Sequence, residues 1–556
     1  DNGARIHANS WGSSQAGVYN LDSANTDDFI WNQADMTITF SDGNAGVDVN
    51  TDGLVDYDSI GSPATAKNVI TVGASENERA DDFPCDLGLG YASSDFYQAG
   101  QTCSDMGGTN VLGTAGQRWG FSAEPLQSDV TAGNAEQMAP FSSRGPTDDG
   151  RIKPDVVAPG TWILSGFSSL YQQGYGDPLN PQNNTYQLDG WGIPLSDAYK
   201  YFGGTSMSNP IAAGAATVVR DYYQKAHNHS ASAALVKATL INSAVDLLDE
   251  NNDGADDNDY PIPNNHEGWG IVNVDKATDD SHQYVDNNTG VSTGAQASYQ
   301  FEIRNSSPFK VSLVWSDFPS TESAAKNLVN DLDLTVRGPG GSPFYLGNAF
   351  NSGWSVSGGS ADTANNVENV FVEAPEAGTW TIEVTGANVP QGPQPFALVV
   401  DGSFGRDETI YVSSSTVGNV GGVRFKDEDI IAYDTATDTW SMYFDGSDVG
   451  LNSTSGQDTD AFFIRSDGSI LLSIRGDATV PGLGSVDDSD IVLFTPTSLG
   501  LRTAGTFSLY FDGSAVELTT NGEDIDAISM FSNGDLLFST AGRMKVATIK
   551  SADEDL

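Results

Sequence analysis

Basic residues are scarce in this chain. Lys and Arg number 25 against 75 Asp and Glu, a net charge of −50 at neutral pH. So acidic a polypeptide has little to offer a phosphate backbone, which argues against nucleic acid as a partner. The same acidity suits a soluble protein in a salty or calcium-containing medium. Long apolar runs are also missing. No stretch approaches the ~20 residues needed to cross a bilayer, so no membrane span is expected. The chain opens at Asp1-Asn2-Gly3 without the charged and apolar leader of a signal peptide. Cysteine is limited to Cys85 and Cys103, which bracket a Gly- and Asp-rich loop. One disulfide closing that loop in an oxidising compartment accounts for them, and so do two buried thiols. Histidine is nearly as rare, with only His7, His227, His229, His266 and His282.

What is present is enough chain for several cores. At 556 residues the length allows three or four domains of about 150 residues each. The stretch Gly203-Gly204-Thr205-Ser206-Met207-Ser208-Asn209-Pro210 organises the first of them. Two glycines permit a sharp turn, and a proline tolerated in the first turn of a helix follows. Residues 211–219 are small and apolar on every face, the pattern of a buried helix. Ser206 is therefore expected at a helix mouth, where free backbone N–H groups and the positive dipole end favour a developing oxyanion. That position suits a nucleophile, and it equally suits a helix-capping serine. Around it, residues 4–12, 36–40, 68–74 and 156–160 read as strands, with helical spacing at 27–32 and 233–241. Strands alternating with helices predict a parallel sheet covered on both faces.

Several motifs occur in a telling order: Ser10-Trp11-Gly12, Ser41-Asp42-Gly43-Asn44-Ala45-Gly46, Ser142-Ser143-Arg144-Gly145-Pro146, residues 153–160 and Gly204-Thr205-Ser206-Met207. In this combination the chain resembles the subtilisin-like serine proteases, most closely the alkaline, oxidatively stable branch with a C-terminal jelly roll, over roughly residues 1–400. The resemblance implies a secreted endopeptidase acting on protein and peptide substrates. It makes Ser206 the nucleophile and Asn44 the side-chain donor of the oxyanion hole. It also makes Ser10, Trp11 and Gly12 the edge that pairs with extended substrate, and gives Ser62, Pro63 and Ala64 to the wall of the specificity pocket. Ser208-Asn209 before Pro210 departs locally from the family's usual Ala then Thr or Ser.

A larger departure concerns the general base. Serine attack needs a histidine within reach and a carboxylate to orient it. The family draws these from Asp-Ser/Thr-Gly and His-Gly-Thr-His motifs preceding the Ser-Trp-Gly strand, and neither motif stands in this chain. None of the five histidines lies in a matching context. The expectation is a peptidase domain over 1–280 that lacks its first strands, is open along one side, and is inactive alone. A truncated product or a companion fragment supplying the Asp and His would explain it.

Two acidic loops read as calcium sites on chemical grounds. In the first, Asp48, Asn50, Asp52 and Asp56 occupy positions one, three, five and nine around Gly53. In the second, Asp249, Asn251, Asp253 and Asp257 repeat the pattern around Gly254. Alternating oxygen ligands about a glycine turn suit a hard divalent cation, although the position-twelve glutamate of an EF-hand is absent. From about 281 the pattern turns to short alternating strands, predicting an antiparallel β-sandwich (a jelly roll by the resemblance) to residue 404. Since that domain binds calcium in the branch, Asn330, Asp331 and Asp333 are candidate ligands. Beyond 405 the chain repeats: Tyr443-Phe444-Asp445-Gly446-Ser447 returns 67 residues later as Tyr510-Phe511-Asp512-Gly513-Ser514. A period in the sixties predicts β-rich, propeller-like blades, with the chain stopping inside a repeat. The competing reading is a calcium-stabilised pseudo-enzyme or an adhesive extracellular protein.

Overall fold

The computed structural model describes residues 3–78, 114–166, 199–304, 307–322, 324–404, 409–435, 439–451, 458–476, 478–520, 523–531, 534–546 and 549–550. Cys85 and Cys103 lie outside the described residues. The chain divides into two compact units, residues 1–404 and 405–556.

The first unit is built on a parallel sheet in the order β1 (Ile6–Asn9), β2 (Thr37–Ser41), β3 (Ile70–Ser75), β4 (Val156–Pro159). Every residue of β2 and β3 is buried, as expected of parallel strands covered on both faces. Helix α1 (Leu21–Asn32) connects β1 to β2, and the Asn20 Oδ1 caps it by accepting from the Asp22 and Ser23 amides. A short helix, α2 (Ala115–Trp119), and a two-stranded ribbon of β5 (Ile163–Gly166) and β6 (Tyr199–Phe202) precede the long helix α3 (Thr205–Ala226). α3 packs across all four parallel strands.

Helix α4 (Ala233–Asn242) has all ten residues buried, and the Ser232 hydroxyl caps it by accepting from the Leu235 amide. Burial on every side follows from its position. One side meets α3 and β2, and another meets the antiparallel strands β9 (Phe309–Val314) and β15 (Gln394–Asp401). After α5 (Val274–Thr278) the chain forms two antiparallel sheets. One holds β7 (His282–Val291), β9, β13 (Val367–Val372) and β15. The other holds β8 (Gln296–Ile303), β10 (Asp331–Arg337), β11 (Phe344–Asn351), β12 (Trp354–Ser357) and β14 (Gly378–Asn388). Their facing residues, among them Leu313, Leu334, Ile382 and Leu398, form one apolar core. A second core runs from β3 and β4 through α3 and α4 into Val314, Phe371 and Val399. α4 packs on both sides of the point 280/281, and residues 1–404 form one compact unit.

The second unit consists of antiparallel strands whose repeat is visible atom by atom. The Asp429 carboxylate accepts from the Lys426 and Gly446 amides, and Asp490 accepts from Asp487 and Gly513 in the same way. A four-stranded sheet in this unit joins residues 459–464 and 470–474 to residues 491–498 and 504–511. The repeated acids thus have a structural duty as turn anchors. No helix among the described residues is long and apolar enough to cross a membrane.

Candidate active site

The site is assembled where β2 ends and α3 begins. Gly204 caps α3 at φ 122°, a conformation closed to side-chain-bearing residues, and its amide donates to the Gly160 carbonyl beyond β4 at 2.7 Å. Ser206 is then the second residue of a 22-residue helix. The first amides of a helix have no intrahelical acceptor, so they point at whatever sits beside the Ser206 side chain.

Pro210 lies in the second turn of α3 rather than its first, since the helix starts at Thr205. It cannot donate to the Ser206 carbonyl four residues earlier. The Ser10 hydroxyl donates there instead at 2.9 Å, and Asn209 Nδ2 donates to Ser10 Oγ at 3.3 Å. Ser10 is thereby a joint between β1 and α3.

Asn44 follows β2 on the opposite wall. Its Oδ1 accepts from the Thr205 amide at 2.8 Å and the Thr205 hydroxyl at 2.9 Å. An amide N–H can only donate, so the atom facing it must be the Asn44 oxygen. This fixes the amide orientation and leaves Nδ2 without a partner among the described residues. Ser206, Thr205, Asn44, Ser10, Trp11 and Gly12 line a single cavity, walled further by Asp42, Ser59, Gly61 and Ser143. Trp11 is 58% exposed and stands edge-on to Phe40. Ser62, Pro63 and Ala64 do not line this cavity, contrary to the sequence reading. All three are buried, and the Ser62 hydroxyl turns towards Asn20 and Ser23 of the α1 region.

Beneath the cavity, Asp42 is buried at the end of β2 and accepts from the Ser142 hydroxyl at 3.0 Å. Burial pushes its carboxyl well above the usual range. Buried Arg144 donates to His266 Nδ1 at 3.0 Å, so that imidazole is neutral with its Nε2 proton directed at the Tyr57 hydroxyl, 2.9 Å away. Burial, then the Arg144 charge, hold the His266 pKa down to about 3. His266 is accordingly a packed structural residue. The other histidines are also engaged away from the site: His7 with Asn9, His227 with Tyr222, His229 with Asp286, and His282 with Tyr223. No histidine is hydrogen-bonded to Ser206, whose hydroxyl has no partner among the described residues.

Residues 1–270 match the Subtilase family, and residues 296–386 match the bacterial pre-peptidase C-terminal domain. Residues 1–270 are a subtilase-family domain. The chain is 28% identical over 490 residues to the serine protease/ABC transporter B family protein tagD of Dictyostelium discoideum, covering 72% of this chain and 25% of that protein. It is 32% identical over 161 residues to the C5a peptidase of Streptococcus pyogenes, covering 28% of this chain and 11% of that one. It thus spans about a quarter of the length of tagD. Among solved structures, the prenylagaramide maturation protease PagA aligns at 16% identity with a TM-score of 0.27, over 50% of this chain and 62% of its own.

Within the subtilase domain the two acidic loops share one hydrogen-bonding plan. Asp48 accepts from the amides of Asp52 and Gly53, and Asp249 accepts from those of Asp253 and Gly254. In the second loop, Asp253 and Asp257 converge with Asp259, each offering an oxygen within 4.8 Å of the others. Asp259 escaped the sequence reading because it lies two positions beyond the nine-residue pattern. Asp249 turns inward to Asn134, and Asn251 donates to Asp253. In the first loop, Asp48, Asp52 and Asp56 form no such three-carboxylate group, and Asn50 donates to Asp52.

On the sandwich, Asn330 is committed to Gln391 and Gln394 through both ends of its amide. Asp331 and Asp333 each have a buried oxygen with no partner, as does Glu368 on β13, a residue absent from the sequence reading. Burial and then Asp333 push Asp331 up to about 6. These all-oxygen donor sets suit calcium in their chemistry.

Proposed function

We propose that this chain is part of a secreted or cell-surface subtilisin-like endopeptidase that cleaves peptide bonds through an acyl-enzyme at Ser206. One observation carries the reading: Thr205 pins Asn44 by its oxygen, its Nδ2 has no partner among the described residues, and Asn44 and Ser206 line the same cavity. In the reaction Ser206 Oγ attacks the scissile carbonyl. The oxyanion then takes hydrogen bonds from Asn44 Nδ2 and the Ser206 amide. Collapse expels the amine, and water releases the acyl group. Extended substrate runs along Trp11 and Gly12, and Ser59, Gly61 and Ser143 replace residues 62–64 as the pocket wall.

The base that takes the Ser206 proton, and the carboxylate orienting it, come from residues outside this sequence, because each histidine here is spoken for. Without them the serine is inactive, since members of a triad act as a unit. The edge of β1 supports a docking position for those residues. β1 is paired only with β2 among the described strands. Beside it His7, Trp11, Phe29, Ile38 and Phe40 line an apolar groove. An unpaired edge flanked by exposed Trp11 and Phe29 suits a further strand and its covering helix. Calcium held by the acidic loops and by the Asp331, Asp333 and Glu368 group would offset like-charge repulsion and stiffen the domain. The extracellular setting is favoured by the pre-peptidase C-terminal match and the chain's acidity.

Complementation tests this. The chain is mixed with a separately produced segment carrying the Asp-Ser/Thr-Gly and His-Gly-Thr-His motifs, and hydrolysis of a fluorogenic peptide is followed. Activity that needs both parts and disappears in Ser206→Ala supports the proposal. Equal activity of the chain alone would sink the claim of a base supplied from outside.

A further inference from the structure

Behind the second acidic loop lies a group of acids that neither the loop nor the active site uses. Asp246 and Glu250 sit on the segment leaving α4, and Glu267 sits in the turn that leads to the core residue Trp269. Each offers one carboxylate oxygen, and the three oxygens lie within 4.8 Å of one another. Glu267 is fully buried and Glu250 is only 2% exposed.

Two of the three are held in place by donors. Asp246 accepts from Asn258 Nδ2 at 2.8 Å and from the Ile262 amide at 3.2 Å. Glu267 accepts from the Leu247 amide at 3.0 Å and from Asn264 Nδ2 at 2.9 Å. Glu250 differs, because both of its oxygens are buried with no hydrogen-bond partner. The Oδ1 of Asn258, next to Asp246, is buried and unpartnered as well. Among the described residues no Lys or Arg forms an ion pair with any of the three acids. Lys310, whose amine lies over the Phe371 ring at 4.8 Å, and Arg144 act on Asp246 and Glu267 only at longer range.

A naked buried carboxylate aimed at two fixed ones is costly as it stands, because charge is removed from water without a partner. Three carboxylates gathered this closely, two of them almost wholly out of water, also repel one another. A cation resolves both problems. Oxygens around calcium sit 2.3–2.6 Å from the ion, so two ligands of one ion are separated by at most about 5 Å. The observed clustering meets that limit before any ion is placed.

We propose that Asp246, Glu250 and Glu267 form a binding site for a hard divalent cation, calcium foremost, separate from the nine-residue loop that begins at Asp249. Asp249 faces the loop amides, whereas Glu250 faces Asp246 and Glu267. The ion ties the segment after α4 to the turn before Trp269 and so locks the end of the subtilase domain. This does not depend on catalysis at Ser206.

Equilibrium dialysis with radioactive calcium and thermal melting, on the full chain stripped by chelator, test the site. Glu250→Gln is expected to bind one calcium per chain fewer than the parent and to lose part of the calcium-induced rise in Tm. Without calcium it melts no lower than the parent, because a repulsive charge has gone. The loop variant Asp253→Asn with Asp257→Asn keeps the site. Asn258→Ser removes only a donor to Asp246 and lowers affinity at this site about tenfold, a typical effect of an outer-shell partner. This second variant decides the matter if Glu250→Gln fails to fold. Unchanged calcium stoichiometry and an unchanged calcium-induced rise in Tm in Glu250→Gln, or unchanged affinity in Asn258→Ser, would overturn the site and show that protons neutralise the group.

Discussion

Asn44 illustrates how a residue acquires a role from what holds it. Thr205 binds the oxygen end of the Asn44 amide twice, which leaves the nitrogen end without a partner among the described residues in a side chain that lines the cavity. In the completed enzyme, Asn44→Ala is expected to lower kcat by about 10²–10³ with little change in KM, as for loss of an oxyanion donor. Steady-state peptide hydrolysis measures it, and a fall confined to KM would contradict the assignment. At this scale the sequence was partly legible. Ser206 and Asn44 stand in short motifs, and the structure brings both to one cavity. Thr205 is inside the same motif, yet its role depends on a neighbour 161 positions away. Glu250 and Glu267 were invisible for the same reason: neither spacing nor composition separates them from the many surface acids.

A second residue-scale prediction concerns pH. Burial, then Asp460, push Asp524 of the second unit up to about 6. A carboxyl that titrates higher when folded than when unfolded holds its proton more tightly in the native state. Stability therefore falls as pH rises from about 4 to about 6 and stays lower above that range. Asp524→Asn removes the effect. It is expected to raise the melting midpoint of the second unit at pH 7 and leave it unchanged below pH 4, as read by circular dichroism.

Among the elements, α3 couples fold to chemistry. Pro210 releases the Ser206 carbonyl, and Ser10 captures it, fastening β1 to the helix start. Ser10→Ala is expected to destabilise the chain by about 1 kcal/mol, the net worth of one hydrogen bond whose acceptor loses its partner. In a Pro210→Ala background, residue 210 regains an N–H that can donate to the same carbonyl, so the cost of Ser10→Ala shrinks. A double-mutant cycle of chemical denaturation reads the coupling, and strict additivity would contradict it. The strands β2 and β3 were legible as short runs rich in β-branched and apolar residues, and α4 was legible by its helical spacing despite Lys237 and Thr239. The start of α3 was misjudged because Pro210 looks like a first-turn residue, and only the Gly204 backbone reveals the earlier start.

On the scale of the molecule, residues on the two sides of 280/281 are joined by buried contacts. Lys67 pairs with Asp317 where both side chains are fully buried. Asn242 donates to Ser312 at 2.9 Å, and Asn366 donates to the Lys67 carbonyl at 3.1 Å. These are polar residues some 70 to 300 positions apart in sequence, which no local pattern connects. Residues 1–280 alone would expose α4 and strip the Lys67 amine of its partners Asp317, Phe318 and Asn327, so that fragment is expected not to fold. Residues 1–404 should melt cooperatively. Calorimetry of the two fragments decides, and a sharp transition for 1–280 would show that the sandwich is dispensable.

The central claim is that an oxyanion hole and a nucleophile are in place here while the base is not. Fluorophosphonate labelling of the full chain, with the adduct located by mass spectrometry, tests it most directly. The account predicts negligible labelling of Ser206 by the chain alone and stoichiometric labelling once a segment bearing the Asp and His motifs is added. Stoichiometric labelling of Ser206 in the chain alone would mean that one of its own histidines reaches the serine, and the account would fail.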